Sequence, residues 1–350
     1  MTDLARRFAN NPVLRPADVS PSAAGLKVEC LLNPGVFRHR GRTGLLLRVA
    51  ERPPQSDSAV STPVIDPTCQ GGVRIVSVQR TDPGLKVTDP RLFTWNGVDY
   101  LTTLSHLRLA WSDDGERFVA DPAPTLIGEG PNEAFGIEDC RVATLADGRY
   151  ILTYTQVSHN GVGVGCIETR DWQSFRRIGM IIPPHNKDCA IFEEQVGGRH
   201  ICLHRPSGVG LGGNYIWLAS SRDLSDWGGH VCIARTRQGM WDSQRIGAGA
   251  APIRTPQGWL EIYHGSDGKR YCLGALLLDL ADPSKVIARS HDPIMEPSAA
   301  YEQTGFFGHV VFSNGHLVDG DTITLYYGAA DEVICGARLS ISAVLASLGH

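Results

Sequence analysis

Asp147-Gly148-Arg149-Tyr150-Ile151-Leu152-Thr153-Tyr154 reads as a glycine-containing turn that runs straight into an apolar, aromatic-rich strand. Glycine supplies the positive φ of a tight reversal, and the β-branched and aromatic residues behind it suit a pleated, buried strand. The same pattern returns in Asn96-Gly97-Val98-Asp99-Tyr100-Leu101, Gly197-Gly198-Arg199-His200-Ile201-Cys202-Leu203-His204, Gln257-Gly258-Trp259-Leu260-Glu261-Ile262-Tyr263-His264 and Gly320-Asp321-Thr322-Ile323-Thr324-Leu325-Tyr326-Tyr327. Its period is roughly 50 to 60 residues. A second mark, an aspartate followed four residues later by an aromatic, recurs at Asp114/Phe118, Asp171/Phe175 and Asp223/Trp227. Repeats of this size, each a small antiparallel sheet, predict an all-β chain folded as a five-bladed β-propeller in one domain over residues 1–350. A pair of β-sandwiches is the competing arrangement, although sandwich strands need not repeat in register. Arg52 to Gln70, rich in Pro, Ser and Asp, reads as a loop within the first repeat. Helix is expected only near the ends, at Leu4 to Phe8 and Ser340 to Leu348.

Composition narrows the function classes. With 33 Lys+Arg against 37 Asp+Glu the net charge is -4, which argues against a nucleic-acid binder. The chain is 42% hydrophobic and 20% charged, enough to bury a large core. The longest apolar runs, such as Gly274-Ala275-Leu276-Leu277-Leu278, are strand-sized, and no membrane partner is expected. Met1-Thr2-Asp3-Leu4-Ala5-Arg6-Arg7 lacks an apolar export segment, so the expected location is cytoplasmic. The nine cysteines are scattered without a C-x-x-C pair, which predicts buried thiols and neither disulfides nor a metal site.

In a propeller the polar residues beside the repeat strands converge on one shared channel. The candidates are Asn33, Arg48, Asp89, Arg91, Glu138, Asp139, Arg141, Lys187, Asp188, His204, Arg205, Arg245, His264, Tyr271 and Asp331. Gly136-Ile137-Glu138-Asp139-Cys140-Arg141 sets two carboxylates and an arginine before a strong strand. Strand alternation sends Glu138 and Asp139 to opposite sides, one to the channel and one to an arginine. A carboxyl group in a partly desolvated pocket has a raised pKa and can donate a proton; equally, an Asp-Arg pair can simply tie repeats together. Lys187, His204-Arg205, Arg245 and His264 are several cations bound for one place, which suits phosphate, whereas each alone reads as a surface ion-pair partner. Trp95, Trp217, Trp241, Trp259 and Tyr263 read as core residues or as platforms for a sugar ring.

Six runs, Gly136 to Arg141, Asn186-Lys187-Asp188, Leu203-His204-Arg205-Pro206, Arg245-Ile246-Gly247-Ala248-Gly249, Gly258-Trp259-Leu260 through Tyr263-His264-Gly265, and Tyr326-Tyr327-Gly328-Ala329-Ala330-Asp331, stand in an order and spacing that resembles glycoside hydrolase family 130. This family comprises β-mannoside phosphorylases and related β-mannosidases. The resemblance extends from about Asn33 to Asp331.

It implies a five-bladed propeller and an inverting phosphorylase with one catalytic acid, which falls on Asp139. The acid protonates the glycosidic oxygen through a mannose hydroxyl while phosphate attacks the anomeric carbon, giving α-mannose 1-phosphate. No general base is required, because phosphate is already a nucleophile. By the same resemblance Lys187, Arg205, Arg245, His264 and Tyr271 hold phosphate, and Asn33, Arg48, Glu138, Arg141, Asp188 and Asp331 surround the sugar. Inorganic phosphate is a co-substrate and no cofactor is implied; the expected partners are a short β-mannoside and, in a homo-oligomer, further copies of the chain.

Three positions depart from the family pattern. Cys140 follows the acid where proline is usual, which predicts a looser turn. His309 replaces a common asparagine, beside Phe306-Phe307 on the acceptor side. Asp188 stands where some relatives carry a neutral amide, and a carboxylate there repels phosphate or serves water as a base. The rival readings are therefore an inverting β-mannosidase with Asp188, Glu261 or Glu302 as base, and a non-catalytic sugar-binding propeller.

Overall fold

The computed structural model describes residues 3–69, 72–89, 91–208 and 212–350, the side chains of Thr88 and Asp89 excepted. The chain is all-β, and every strand pairing is antiparallel. Five sheets follow one another along the sequence. The first orders Lys27–His39, Arg42–Arg52, Leu104–Ser112 and Val119–Ala120. The second orders Ile137–Thr144, Tyr150–Ser158, Gly161–Thr169 and Arg176–Ile182. The third orders Asn186–Ile191, His200–Pro206, Ile216–Ser221 and Trp227–Ala234. In the fourth, Gly258–Ser266 pairs with both Arg245–Gly247 and Ile253–Thr255 on one side, and Tyr271–Leu278 and Val286–Arg289 follow on the other. The fifth orders Val311–Asp319, Thr322–Ala329, Val333–Ser340 and, from the far end of the chain, Arg6–Arg7.

The apolar cores lie between these sheets. Phe37, Leu46 and Leu107 of the first meet Ile137 and Tyr150 of the second. Ile151 and Cys166 of the second meet Cys189 and Cys202 of the third. Phe192 and Leu203 pack on Trp259 and Leu276, and Leu260 and Leu277 pack on Leu325 and Val333. Tyr326 and Ile334 of the fifth sheet return to Leu31, Leu45 and Val49 of the first. Each sheet thus buries one face against the sheet before it and the other against the sheet after it.

The repeat has a local chemical basis. Asp114, Asp171 and Asp223 each cap a turn by accepting the backbone N–H groups two and three residues on, which is the aspartate's ordinary turn chemistry. Asp279 does the same without an aromatic behind it, so the fourth sheet escapes the sequence pattern.

Three expectations are corrected. Leu4 to Phe8 is not helical: Arg6–Arg7 adds a strand to the open edge of Val333–Ser340, because that edge offers unpaired backbone groups and Phe8 packs on Tyr326. Arg52 to Gln70 is not a loop: Ala59–Ile65 pairs with Val73–Gln79, and Val60, Val64, Val76 and Val78 bury their side chains with Phe135 and Val157 of the second sheet. Gln70 itself lies outside the described residues. Finally, the Asn96-Gly97 turn belongs to an added three-stranded sheet, Leu85–Asp89, Leu92–Trp95 and Val98–Leu101. The true counterpart in the first sheet is the hairpin at Arg40-Gly41, with φ of 49° and 81°. Arginine in a left-handed conformation is a weaker hairpin signal than Asn-Gly, which is why the sequence pattern settled on the wrong turn.

Ser340 to Leu348 is helical as expected, over Ile341–Ser347, with the Ser340 side chain accepting the Ala343 N–H. No helix among the described residues is long and apolar enough to cross a membrane.

Candidate active site

The first strand of four sheets is bulged at matching places. Register slips occur between Leu32 and Gly35, Glu138 and Arg141, Lys187 and Ala190, and Ser313 and Gly315. In the fourth sheet the corresponding strand is interrupted between Gly247 and Ile253. A bulge bends the strand and re-aims side chains. Asn33, Asp139, Asp188 and Asn314 sit in these bulges, and Asp139 and Asp188 hold φ of 50° and 55°. Aspartate tolerates this left-handed conformation better than most residues.

The bulges open on a cavity of about 370 Å³. Eleven of the predicted site residues line it: Asn33, Arg48, Arg91, Glu138, Asp139, Lys187, Asp188, Arg205, Arg245, Tyr271 and Asp331. Arg141 and His264 do not; they stand buried behind the wall. Arg91, Leu92, Leu101 and Thr103 complete one side from the added sheet and the chain next to it, and Phe306, Val310 and Phe312 complete another. The Asp89 side chain lies outside the described residues.

Asp139 is 6% exposed. Its Oδ1 accepts from Asn33 Nδ2 at 3.1 Å and from Arg48 Nη1 at 3.0 Å. Arg48 Nη2 donates to Glu138 Oε1 at 2.8 Å, and Arg48 Nε to Ser105 Oγ at 3.1 Å. Glu138 and Asp139 therefore hold one arginine together, against the expectation that strand alternation parts them. The bulge supplies the extra residue that cancels the alternation.

The expected rise in the Asp139 pKa is also corrected. Burial pushes it up, but Arg48, Lys187 and Arg141 outweigh burial and hold this carboxyl below its usual range. Asp331, on the same wall, is the group pushed up, to about 6, by burial and by the nearby Asp139 and Glu138, against the pull of Arg48 and Arg91. Asp331 therefore holds a proton nearer neutrality than Asp139 does.

The same cavity is lined by Lys187, Arg205, Arg245 and Tyr271. Arg205 Nε donates to Asp188 Oδ2 at 2.6 Å and Nη1 to Asn214 Oδ1 at 3.1 Å. Arg141 Nη2 donates to the other oxygen of Asp188 at 3.1 Å, and His264 Nε2 lies 3.2 Å from Oδ2. Asp188 is thus fully engaged; burial opposes its charge, but Arg205, His264 and Arg141 hold its carboxyl well below the usual range. A carboxylate so stabilised neither repels an anion at full strength nor serves as a base at neutral pH. His264, expected among the cations, is lowered to about 4 by burial and is neutral near pH 7.

Arg141 is the tie between sheets that the sequence allowed, with a different partner. From the second sheet it reaches Asp188 of the third, the carbonyls of Ala248 (2.8 Å) and Gly249 (2.7 Å) beside the fourth, and the Asp139 carbonyl at 3.0 Å. That last bond fixes the bulge. Cys140 is fully buried in the bulge, and a Cβ on the facing Gly35 would press on the Cys140 carbonyl.

Of the other two proposed bases, Glu302 is taken by Arg7, Tyr327 and the N–H groups of Ser298 and Ala299, and Glu261 is buried without lining the cavity. None of Trp95, Trp217, Trp241, Trp259 and Tyr263 lines it; the aromatic wall is Tyr271, Phe306 and Phe312. Phe312 and the added-sheet residues Leu92 and Leu101 had no sequence signal, because apolar residues in strands look alike whether they face a core or a ligand. His204 faces away from the cavity, between Asn186 and His230. Within the described residues no cluster of His, Cys, Asp and Glu has the makings of a metal site.

A family model described as β-1,4-mannooligosaccharide phosphorylase matches residues 100–349. A β-1,2-mannobiose phosphorylase of Listeria innocua is 40% identical over 98% of both chains. A 1,2-β-oligomannan phosphorylase of a Thermoanaerobacter species is 39% identical over 68% of this chain and 79% of its own. The solved structure of the Listeria innocua β-1,2-mannobiose phosphorylase with β-1,2-mannobiose superposes with a TM-score of 0.95, at 39% identity, over 99% of each chain.

Proposed function

The chain belongs to glycoside hydrolase family 130, and from that premise we propose that it is an inverting β-mannoside phosphorylase whose substrate is β-1,2-mannobiose. One observation carries the reading: a buried aspartate held by Asn33 and Arg48 lines the same cavity as Lys187, Arg205 and Arg245. An acid and an anion site sharing one cavity are what phosphorolysis requires. The 1,2 linkage rests on the two relatives described above, one of them alike over nearly the whole chain, against a family description that spans residues 100–349 only.

In this mechanism Asp139 is the acid. Its proton passes through a mannose hydroxyl to the glycosidic oxygen as the C1–O bond breaks. An oxygen of HPO₄²⁻ forms the new bond to C1 from the opposite face, so the products are α-mannose 1-phosphate, which keeps the phosphate's own proton, and mannose. Lys187, Arg205, Arg245 and Tyr271 orient the phosphate, while Asn33, Arg48 and Asp331 hold the reacting sugar. The phosphate stands in for the base-activated water of an inverting hydrolase, and the engagement of Asp188, Glu302 and Glu261 elsewhere favours phosphate over water.

We read the five sheets as the blades of a five-bladed propeller forming one domain. The succession of sheet-to-sheet cores, with the fifth returning to the first, favours a ring. Nine cysteines without a disulfide fit a reducing compartment.

The test incubates the protein with β-1,2- and β-1,4-mannobiose, with and without phosphate, and reads products by NMR. α-Mannose 1-phosphate formed from the 1,2-linked substrate, and only with phosphate, is the expected result. Free mannose in phosphate-free buffer moves the assignment to a hydrolase, and preference for the 1,4 linkage corrects the substrate.

A second prediction follows from the pKa directions. An anion among Lys187, Arg205 and Arg245 offsets the positive potential that holds Asp139 down, and raises Asp139 and Asp331 together. Anion binding near pH 6.5 therefore takes up protons. Calorimetric titration with sulfate, which does not itself titrate there, in buffers of different ionisation enthalpy measures this; binding without proton exchange contradicts it.

A further inference from the structure

Glu261 is fully buried on Gly258–Ser266. Strand alternation puts it on the same face as Trp259 and Tyr263, towards Ala190, Phe192, Leu203, Ile246 and Ala248. Leucine would serve that apolar setting better than a carboxyl group. What the carboxyl adds is one bond: Oε1 accepts the Gly249 N–H at 2.7 Å, while Oε2 has no partner among the described residues.

Gly249 is where the ladder of the fourth sheet is broken. Gly247 pairs with His264 and Ile253 with Leu260, and the peptides between have no ladder partner. No side chain fits at Gly249, because a Cβ would collide with the Ile262 carbonyl. The two peptides flanking its Cα are held from outside: Glu261 takes the Gly249 N–H, and Arg141 donates to the Ala248 carbonyl of that same peptide at 2.8 Å and to the Gly249 carbonyl of the next at 2.7 Å. Arg141 in turn holds the Asp139 carbonyl and Asp188, and Asp188 holds Arg205.

We propose that Glu261 is a positioning residue of the phosphorolytic site: by fixing the Gly249 peptide it fixes Arg141, and through Arg141 the aim of Asp139 and of Arg205. This rests on the reading of the cavity given above.

The surroundings also give the arrangement a pH response. Burial pushes the Glu261 carboxyl up to about 8, against the Gly249 N–H and Arg141. From the second sheet the facing charge is Arg141; from the third, Asp188 and Arg205 stand beyond it. His264 points to the opposite face of the same strand, and the nearby Ser313 and Asn314 of the fifth sheet carry no charge. Below pH 8 Glu261 is neutral. Above it, a new negative charge draws Arg141 away from Asp188 and the three carbonyls, so activity falls.

The experiment compares Glu261→Leu and Glu261→Gln with the unaltered protein in phosphorolysis across about pH 6 to 9.5, with melting temperature followed throughout. Glu261→Leu is expected to raise KM for phosphate and lower kcat by about tenfold together, the scale of losing a group that orients a site's own residues. Glu261→Gln keeps an acceptor for Gly249 and cannot ionise, so it restores most of the loss and abolishes the alkaline limb near pH 8. Unaltered kcat and KM in a folded Glu261→Leu overturns the proposal, as does an intact alkaline limb in Glu261→Gln. Should the leucine variant fail to fold, the glutamine profile decides alone. An unaltered protein without phosphate-dependent turnover sinks the functional reading itself, a result separable from the other two.

Discussion

Asp139→Asn is expected to cut phosphorolysis of β-1,2-mannobiose by about 10²- to 10⁴-fold, the range of a positioned proton donor. Asparagine matches aspartate in shape, and its amide oxygen can still accept from Asn33 and Arg48. What it cannot do is release a proton to the departing oxygen. The loss should therefore fall on kcat, with KM for phosphate little changed, because Lys187, Arg205 and Arg245 are untouched. Removing the carboxylate leaves Arg48 with Glu138 as its remaining ionic partner at 2.8 Å, so the fold should hold. Steady-state kinetics with a melting curve provides the check. Turnover within tenfold of the unaltered protein would remove Asp139 from the acid's role, and Asp331, the neighbour pushed up to about 6, would be the next candidate.

The second large effect is on stability. Arg141→Met keeps much of the side-chain volume and removes the guanidinium that joins three sheets. Asp188 keeps Arg205, but the carbonyls of Asp139, Ala248 and Gly249 lose a charged donor in a buried place. Breaking a buried ion pair from one side costs about 3–5 kcal/mol, and in a chain of this size that lowers Tm by roughly four to seven degrees. The bulge that aims Asp139 is then no longer pinned, so activity at a temperature below the transition should fall as well. A Tm within about two degrees of the unaltered protein would mean that packing alone holds the bulge. Acid affects the two ends of this network differently. Asp188, held far below its usual pKa, supplies its stabilisation above the unfolded carboxylate pKa and loses it only as pH falls through its depressed value. Glu261, pushed up to about 8, costs stability as pH rises from its unfolded value towards 8 and no more beyond.

The turn-and-strand repeat was legible because its chemistry is local: the strands after Asp147, Gly197, Gln257 and Gly320 are all second strands of successive sheets. The first repeat was misplaced because Arg40-Gly41 makes a hairpin that no residue preference announces. The site was legible as a set of residues, since charged groups beside strands stand out, but their geometry was not. Strand alternation is a rule for regular ladders, and a bulge at Glu138 and Asp139 suspends it. Nor could sequence reveal that Asp188 is spent on Arg205 and Arg141, because one partner stands across a bulged ladder and the other comes from a different sheet. The direction of the Asp139 pKa depends on that same convergence of cations, which no spacing encodes.

The pairing of Arg6 and Arg7 with Arg338 and Ala337 has a consequence for biogenesis. Arg6–Arg7 is made long before the edge it needs, which belongs to Val333–Ser340. While the other sheets can assemble hairpin by hairpin as they emerge, this strand must wait for Val333–Ser340 with its backbone groups open. Two consecutive arginines suit that interval, because charge on an unpaired strand discourages association with other nascent chains. The pairing that completes this sheet is thus a late event, and non-local contacts of this kind form slowly.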